Sequence, residues 1–215
     1  MNTEPDNDLN DDVTFYMQGW EPQGMPKAIV CLVHGLGEHS GRYAHVGAAL
    51  NEAGYALYGF DLRGHGQTGG PRGHFPSLEA VMQDIRQFIE FQRQNNPGLP
   101  VFLYGHSLGG LLSLAYAIQY GEGLTGVIVS GAGLRSPVLE QKGKVALVNL
   151  LGSLLPGLTI TTGLLPETIS RDPAVVQKYI ADPLVHDKSS LGLAKAGFTA
   201  IDLCFARAKE LRPPL

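Results

Sequence analysis

The run Gly105-His106-Ser107-Leu108-Gly109 constrains this chain more than any other, because of what stands on either side of it. Upstream, Pro100-Val101-Phe102-Leu103-Tyr104 is short, bulky and apolar, which predicts a buried strand. Downstream, Leu111, Leu112, Leu114, Ala115 and Ile118 recur at helical spacing until Gly121 closes the pattern. A serine between glycines at a strand-to-helix turn has the form of a nucleophile elbow. Such a turn is tight and the two backbones crowd together, so a Cβ at the glycine positions would collide. The hydroxyl is thereby held at the tip of the bend, where the helix N-terminus favours a developing negative charge. The competing reading is a glycine-rich loop with an incidental serine; the flanking strand and helix favour the elbow.

At 215 residues the chain can bury one substantial core, with room for an insertion. Hydrophobic residues make up 44% and charged residues 17%, which describes an ordinary soluble globular protein. A net charge of −4 without any basic cluster gives no reason to expect nucleic acid as a partner. Cys31 falls in a predicted strand and Cys204 in a predicted helix, so two buried thiols are expected rather than a disulfide. Met1 to Asp12 is polar and acidic and lacks the features of a secretory leader, so the expected location is cytoplasmic. Val145 to Leu165 is apolar, yet Asn149, Ser153, Gly152, Pro156 and Gly157 interrupt it. A spanning helix needs about 20 predominantly apolar residues. The segment reads instead as two short apolar pieces packed on the core or over a pocket.

Strands are predicted over Val13–Trp20, Ala28–Val33, Tyr55–Phe60 and Gly126–Ser130, besides the elbow strand. Helical spacing runs through Arg42–Ala53, and again through Leu78, Val81, Met82, Ile85, Phe88, Ile89 and Gln92. Ser77 is a candidate N-cap, with Glu79 in the first turn. This alternation predicts an α/β fold with a mainly parallel sheet covered by helices. From Leu134 the pattern changes, and no strand signal returns until the last few residues. Residues 134–207 read as an inserted helical cap, 1–133 as the N-terminal part of the core, and 208–215 as the start of a further core segment.

Acyl transfer needs donors for a tetrahedral oxyanion. In an elbow fold these are the N–H of the residue after the nucleophile, here Leu108, and one from a loop after an earlier strand. His34-Gly35-Leu36-Gly37 is that loop, and Leu36 is its donor because flanking glycines let the backbone turn inward. The run Val33 to Tyr43 resembles the monoacylglycerol lipase branch of the α/β-hydrolases, also described as serine aminopeptidase S33-like or lysophospholipase-like. Asp61-Leu62-Arg63-Gly64-His65-Gly66, Pro97-Gly98-Leu99-Pro100 and the elbow follow in the same order, as do Ser170-Arg171-Asp172, Tyr179 and Asp182-Pro183-Leu184. The resemblance covers nearly the whole chain. It implies an α/β-hydrolase fold, Ser107 as nucleophile, and Leu36 and Leu108 as oxyanion amides. Glu38 and Arg42 would lie near the alcohol end of a glyceride, or else form an ion pair that pins their loop; both readings stay open. The cap would form a lipid-facing entrance with Tyr179 at the pocket. The implied partners are a small lipid ester and, transiently, a membrane surface met through the cap, with no obligate protein partner. No metal or organic cofactor is implied.

In this fold the acid and the histidine of the triad follow the serine. After Ser107 the only histidine is His186, beside Asp187 in the expected cap, where it reads as a surface or cap-pocket residue. His34 and His65 read as loop-holding, and His106 as the variable position of the elbow. The resemblance places the acid and the histidine beyond Leu215, so the C-terminal strands are expected to be missing. Leu211 to Leu215 reads as the approach to the next core strand. The expected activity is cleavage of carboxylic esters of lipids, as a monoacylglycerol lipase or lysophospholipase. The alternatives are another esterase, a thioesterase or an S33-type peptidase on the same machinery, or a fragment inactive for want of the triad Asp and His.

Overall fold

The structure is a computed structural model and describes residues 13–135 and 137–215. Five strands form the main sheet: β1 (Met17–Trp20), β2 (Ile29–Val33), β3 (Ala56–Phe60), β4 (Val101–His106) and β5 (Gly126–Ser130). Their spatial order is β1-β3-β2-β4-β5. β1 runs antiparallel to β3, and the other pairs are parallel. All five residues of β2 are buried, as a continuous apolar run at the centre of a parallel sheet requires. Alternation along β2 divides the core between two faces. Ile29, Cys31 and Val33 join a large cluster with Phe60, Ile85, Phe88, Leu103 and Leu112. Val30 and Leu32 pack with Tyr43 and Leu57, beneath Trp20, Val46 and Leu50.

The second of these faces is covered by α1 (Ala44–Glu52), which follows a single 3₁₀ turn over Ser40–Tyr43. On the other face lie α2 (Leu78–Asn95) and α3 (Leu108–Tyr120). Ser77 caps α2, its Oγ accepting from the Ala80 N–H at 3.1 Å. The predicted α2 stripe is buried from Val81 to Gln92, and the rings of Phe88 and Phe60 meet with centroids 4.6 Å apart. Both cysteines are free and buried, and burial pushes the Cys31 thiol up to about 12 and that of Cys204 up to about 11.

Beyond Leu134 come α4 (Lys142–Leu154), β6 (Thr159–Thr161), α5 (Pro173–Ala181), β7 (Lys188–Ser190) and α6 (Leu191–Arg207). Two expectations are corrected here. β6 and β7 pair antiparallel as a separate ribbon in a stretch that shows no strand signal. Each is three residues long, too short to display alternation, and forms only because the chain returns to itself. The Val145–Leu165 segment packs less than expected: Gly152 is the buried residue of α4, held against the Leu191 carbonyl and Lys195, while Leu147, Leu150 and Leu154 are exposed. α6 packs on α3, α4 and α2, and Leu193, Ala196, Ala200, Ile201 and Cys204 share the main core. Residues 211–215 form no strand, but the Pro214 carbonyl accepts from the Val127 N–H at 2.8 Å, so this segment lies along β5. Among the described residues no helix is long and apolar enough to cross a membrane.

Candidate active site

Ser107 joins β4 to α3 with φ +52° and ψ −116°, and among the described residues no other non-glycine has positive φ. Such a backbone costs about 1–3 kcal/mol and persists only where its surroundings fix it. Here the Ser107 N–H donates to the Ser130 carbonyl at 3.0 Å. The Ser107 carbonyl accepts from the N–H groups of Leu111 (3.1 Å) and Gly133 (3.0 Å). Crowding explains the glycines: a Cβ on Gly109 would strike the carbonyls of Val33 and His34, and one on Gly105 would strike the Gly109 carbonyl and Ser113 Oγ. The Leu108 N–H is the first of α3 and has no intrahelical acceptor.

The loop after β2 lies against the serine, since a Cβ built on Gly35 would sit 3.3 Å from Ser107 Cβ. His34 is fully buried; its Nδ1–H donates to the Gly35 carbonyl (2.8 Å) and its Nε2 accepts from the Leu62 N–H (2.9 Å). Burial pulls its pKa down, which keeps this tautomer neutral. The peptide unit is planar and trans, so holding the Gly35 carbonyl also aims the Leu36 N–H on its opposite side. Among the described residues that N–H has no acceptor.

Glu38 anchors the same loop. Its Oε1 accepts from the Gly35 N–H and the Tyr43 hydroxyl, both at 2.7 Å, and its Oε2 from Arg42 Nε at 3.3 Å. The Arg42 guanidinium lies 4.7 Å from the ring centroid of Tyr179 on α5. Glu38 and Arg42 thus form an ion pair within this loop, and Arg42 reaches α5 as well. Sequence reasoning missed a second tie: His39 Nε2 donates to Asp182 Oδ2 at 2.9 Å. Burial would raise the Asp182 carboxyl, but hydrogen bonds from His39 and the Leu184 N–H outweigh it and hold the pKa below the usual value. A cavity of about 270 Å³ opens between this loop and residues 162–187, lined among others by Leu36, Leu164, Tyr179, Ile180, Val185 and His186.

Among the described residues Ser107 Oγ has no hydrogen-bond partner. His106 Nδ1 bonds Ser130 Oγ at 2.9 Å. His65 is fully buried, its Nδ1–H donating to the Arg63 carbonyl at 3.0 Å, and burial with His34 alongside drives its pKa well down. His186 donates from Nε2 to the Gly64 carbonyl (3.1 Å) and accepts at Nδ1 from the Lys188 N–H (3.2 Å). Both of its ring nitrogens are committed away from the serine.

The profile of the family described as serine aminopeptidase, S33, matches residues 24–215. The chain belongs to this S33 family. The monoacylglycerol lipase of Mycolicibacterium smegmatis is 37% identical over 202 residues, covering 91% of this chain and 70% of that protein. An uncharacterized abhydrolase domain-containing protein of Dictyostelium discoideum is 43% identical over 187 residues, covering 86% of this chain. The chain spans only 20% of the length of that protein. The crystal structure of Paleococcus ferrophilus monoacylglycerol lipase superposes with a TM-score of 0.82 at 39% identity, over 94% of this chain and 75% of that one. The chain is thus a monoacylglycerol lipase-like α/β-hydrolase of the S33 family, with the mainly parallel, helix-flanked sheet its sequence predicts.

Proposed function

We propose that this protein cleaves carboxylic esters of lipids, monoacylglycerols or lysophospholipids, through an acyl-enzyme at Ser107. The observation that carries the reading is the strained Ser107 backbone with the Gly35–Leu36 peptide against it. Ser107 Oγ adds to the ester carbonyl, and the carbonyl oxygen becomes an oxyanion between the Leu108 and Leu36 N–H groups. Each donor of this kind is worth roughly 3 kcal/mol in the transition state. A histidine takes the serine proton and returns it to the departing alcohol, and a carboxylate orients that histidine. Among the described residues no histidine bonds the serine, and in this reading the pair comes from sequence that follows Leu215. The acyl chain would reach the cavity over a cap surface where Leu150, Leu154, Leu158, Leu164 and Leu165 are all more than half exposed. An apolar patch of that kind suits contact with a lipid surface.

The test uses the product of the gene read to its stop codon. A fluorophosphonate probe is expected to label Ser107, located by peptide mass spectrometry, and Ser107→Ala is expected to lose labelling. The same protein should hydrolyse monoacylglycerols, with kcat falling by about 10⁶-fold in Ser107→Ala. Labelling elsewhere would remove Ser107 as nucleophile. Turnover of amino-terminal peptides without ester cleavage would replace the lipid substrate with a peptide.

A further inference from the structure

We propose that His186 is a positioning residue for the oxyanion loop, a strut through which the cap segment sets the peptide that carries the Leu36 N–H. The proposal rests on the reading of Leu36 as an oxyanion donor. Its basis is that one residue of the cap segment grips two core loops at once. The His186 backbone N–H donates to the Gly37 carbonyl at 2.9 Å, one residue beyond Leu36. The ring of the same residue donates from Nε2 to the Gly64 carbonyl, in the loop after β3. Its Nδ1 is held by the Lys188 N–H, so the ring bonds at both ends and neither bond leaves freedom to rotate.

Ring contacts and close packing fix the strut further. The His186 ring lies 4.7 Å from that of His65, and His65 lies 5.4 Å from His34, the residue that holds the Gly35 carbonyl. Three imidazoles therefore run from the cap to the oxyanion loop. Each is hydrogen-bonded to a backbone carbonyl, those of Gly64, Arg63 and Gly35. Gly37 has φ +72°, and a Cβ there would strike the His186 carbonyl, so the approach is as close as backbone allows. The loop is thus clamped on both sides of Leu36, by His34 at Gly35 and by His186 at Gly37. A shift of about 1 Å in a catalytic donor can cost about 100-fold in rate. That makes the second clamp a means for the cap to set catalytic geometry.

Two variants separate this role from plain stability. His186→Gln keeps an N–H able to reach the Gly64 carbonyl, whereas His186→Ala removes the ring altogether. Hydrogen exchange followed by mass spectrometry on the 215-residue chain reads the loop without any need for turnover. Peptides spanning residues 34–39 are expected to exchange at least about tenfold faster in His186→Ala, and within about threefold of the parent in His186→Gln. On the full gene product, His186→Ala should lower kcat by about 10–100-fold with KM within about twofold, and His186→Gln should recover most of it. Should residues 182–190 loosen while 34–39 keep their protection, His186 serves only its own segment and the proposal is overturned. A loosened loop with unchanged kcat would uphold the strut and instead overturn Leu36 as the oxyanion donor. If His186→Ala does not fold, ring ¹⁵N–¹H spectra of the parent decide. A bare Nδ1 with protonated Nε2 is expected, and the opposite tautomer breaks both ring bonds and the proposal with them.

Discussion

Ser107 sits where stability and reactivity oppose one another. Its φ of +52° is a conformation that a glycine adopts without penalty and a serine does not. Ser107→Gly should therefore relieve strain of about 1–3 kcal/mol and give back about 0.5–1 kcal/mol through the greater freedom of glycine in the unfolded chain. The net expectation is a gain of about 1 kcal/mol, or a Tm roughly 3 °C higher for a chain of this size. Ser107→Ala retains the Cβ and hence the strain, so its Tm should stay within about 1 °C of the parent. Calorimetry on the three proteins makes the comparison, and a Ser107→Gly variant no more stable than Ser107→Ala would mean the elbow is unstrained in solution.

Between elements, a buried ion pair joins α2 to the loop after β3. Arg63 Nε and Nη2 reach Asp84 Oδ2 and Oδ1, both at 2.7 Å, and both residues are buried. Asp84→Ala leaves the guanidinium inside without its carboxylate and should cost about 3–5 kcal/mol. Urea denaturation should show the loss, and a change below about 1 kcal/mol would mean water reaches the pair. The elements that carry this pair are legible in the sequence, because the Leu78–Gln92 stripe and the Tyr55–Phe60 run write their periodicity locally. The pair itself is not, since 21 residues separate its members and no charge pattern links them. The site divides in the same way. The elbow announces itself because its steric demand for glycine falls beside the serine, and the loop of Leu36 shows the same local signature. The contacts of His39 with Asp182 and of His186 with Gly64 span 143 and 122 residues, and nothing near either end foretells them. Likewise, the reading of residues 134–207 as helical does not say that α3 is a surface that α6 covers.

Across the whole molecule, the three loops around the site meet at imidazoles that must stay neutral, and this ties stability to pH. Burial is the first cause of the lowered pKa at His34, His65 and His186 alike. His34 and His65 are fully buried, and His186 is half-buried. Around them, Arg72 and the neighbouring rings disfavour a further positive charge on His65 and His186, while Asp187 opposes this at His186 and Glu38 and Asp61 oppose it at His34. In the unfolded chain these residues take up protons near the ordinary value of 6.5, whereas the native state refuses them until lower pH. The unfolded state then binds more protons, so stability is full above 6.5 and falls as pH drops towards the lowered native values. Asp182 does not compensate: its depressed carboxyl stays ionised through this window, and its contribution is lost only at more acid pH. Urea midpoints measured at pH 8 and pH 5.5 should therefore move down on acidification. His186→Gln should show a smaller drop, because it removes one of the three titrating rings while leaving a donor for the Gly64 carbonyl. A midpoint that is flat, or that rises towards pH 5.5, would mean these rings accept protons in the folded state and would end the neutral-tautomer account of how these loops are held.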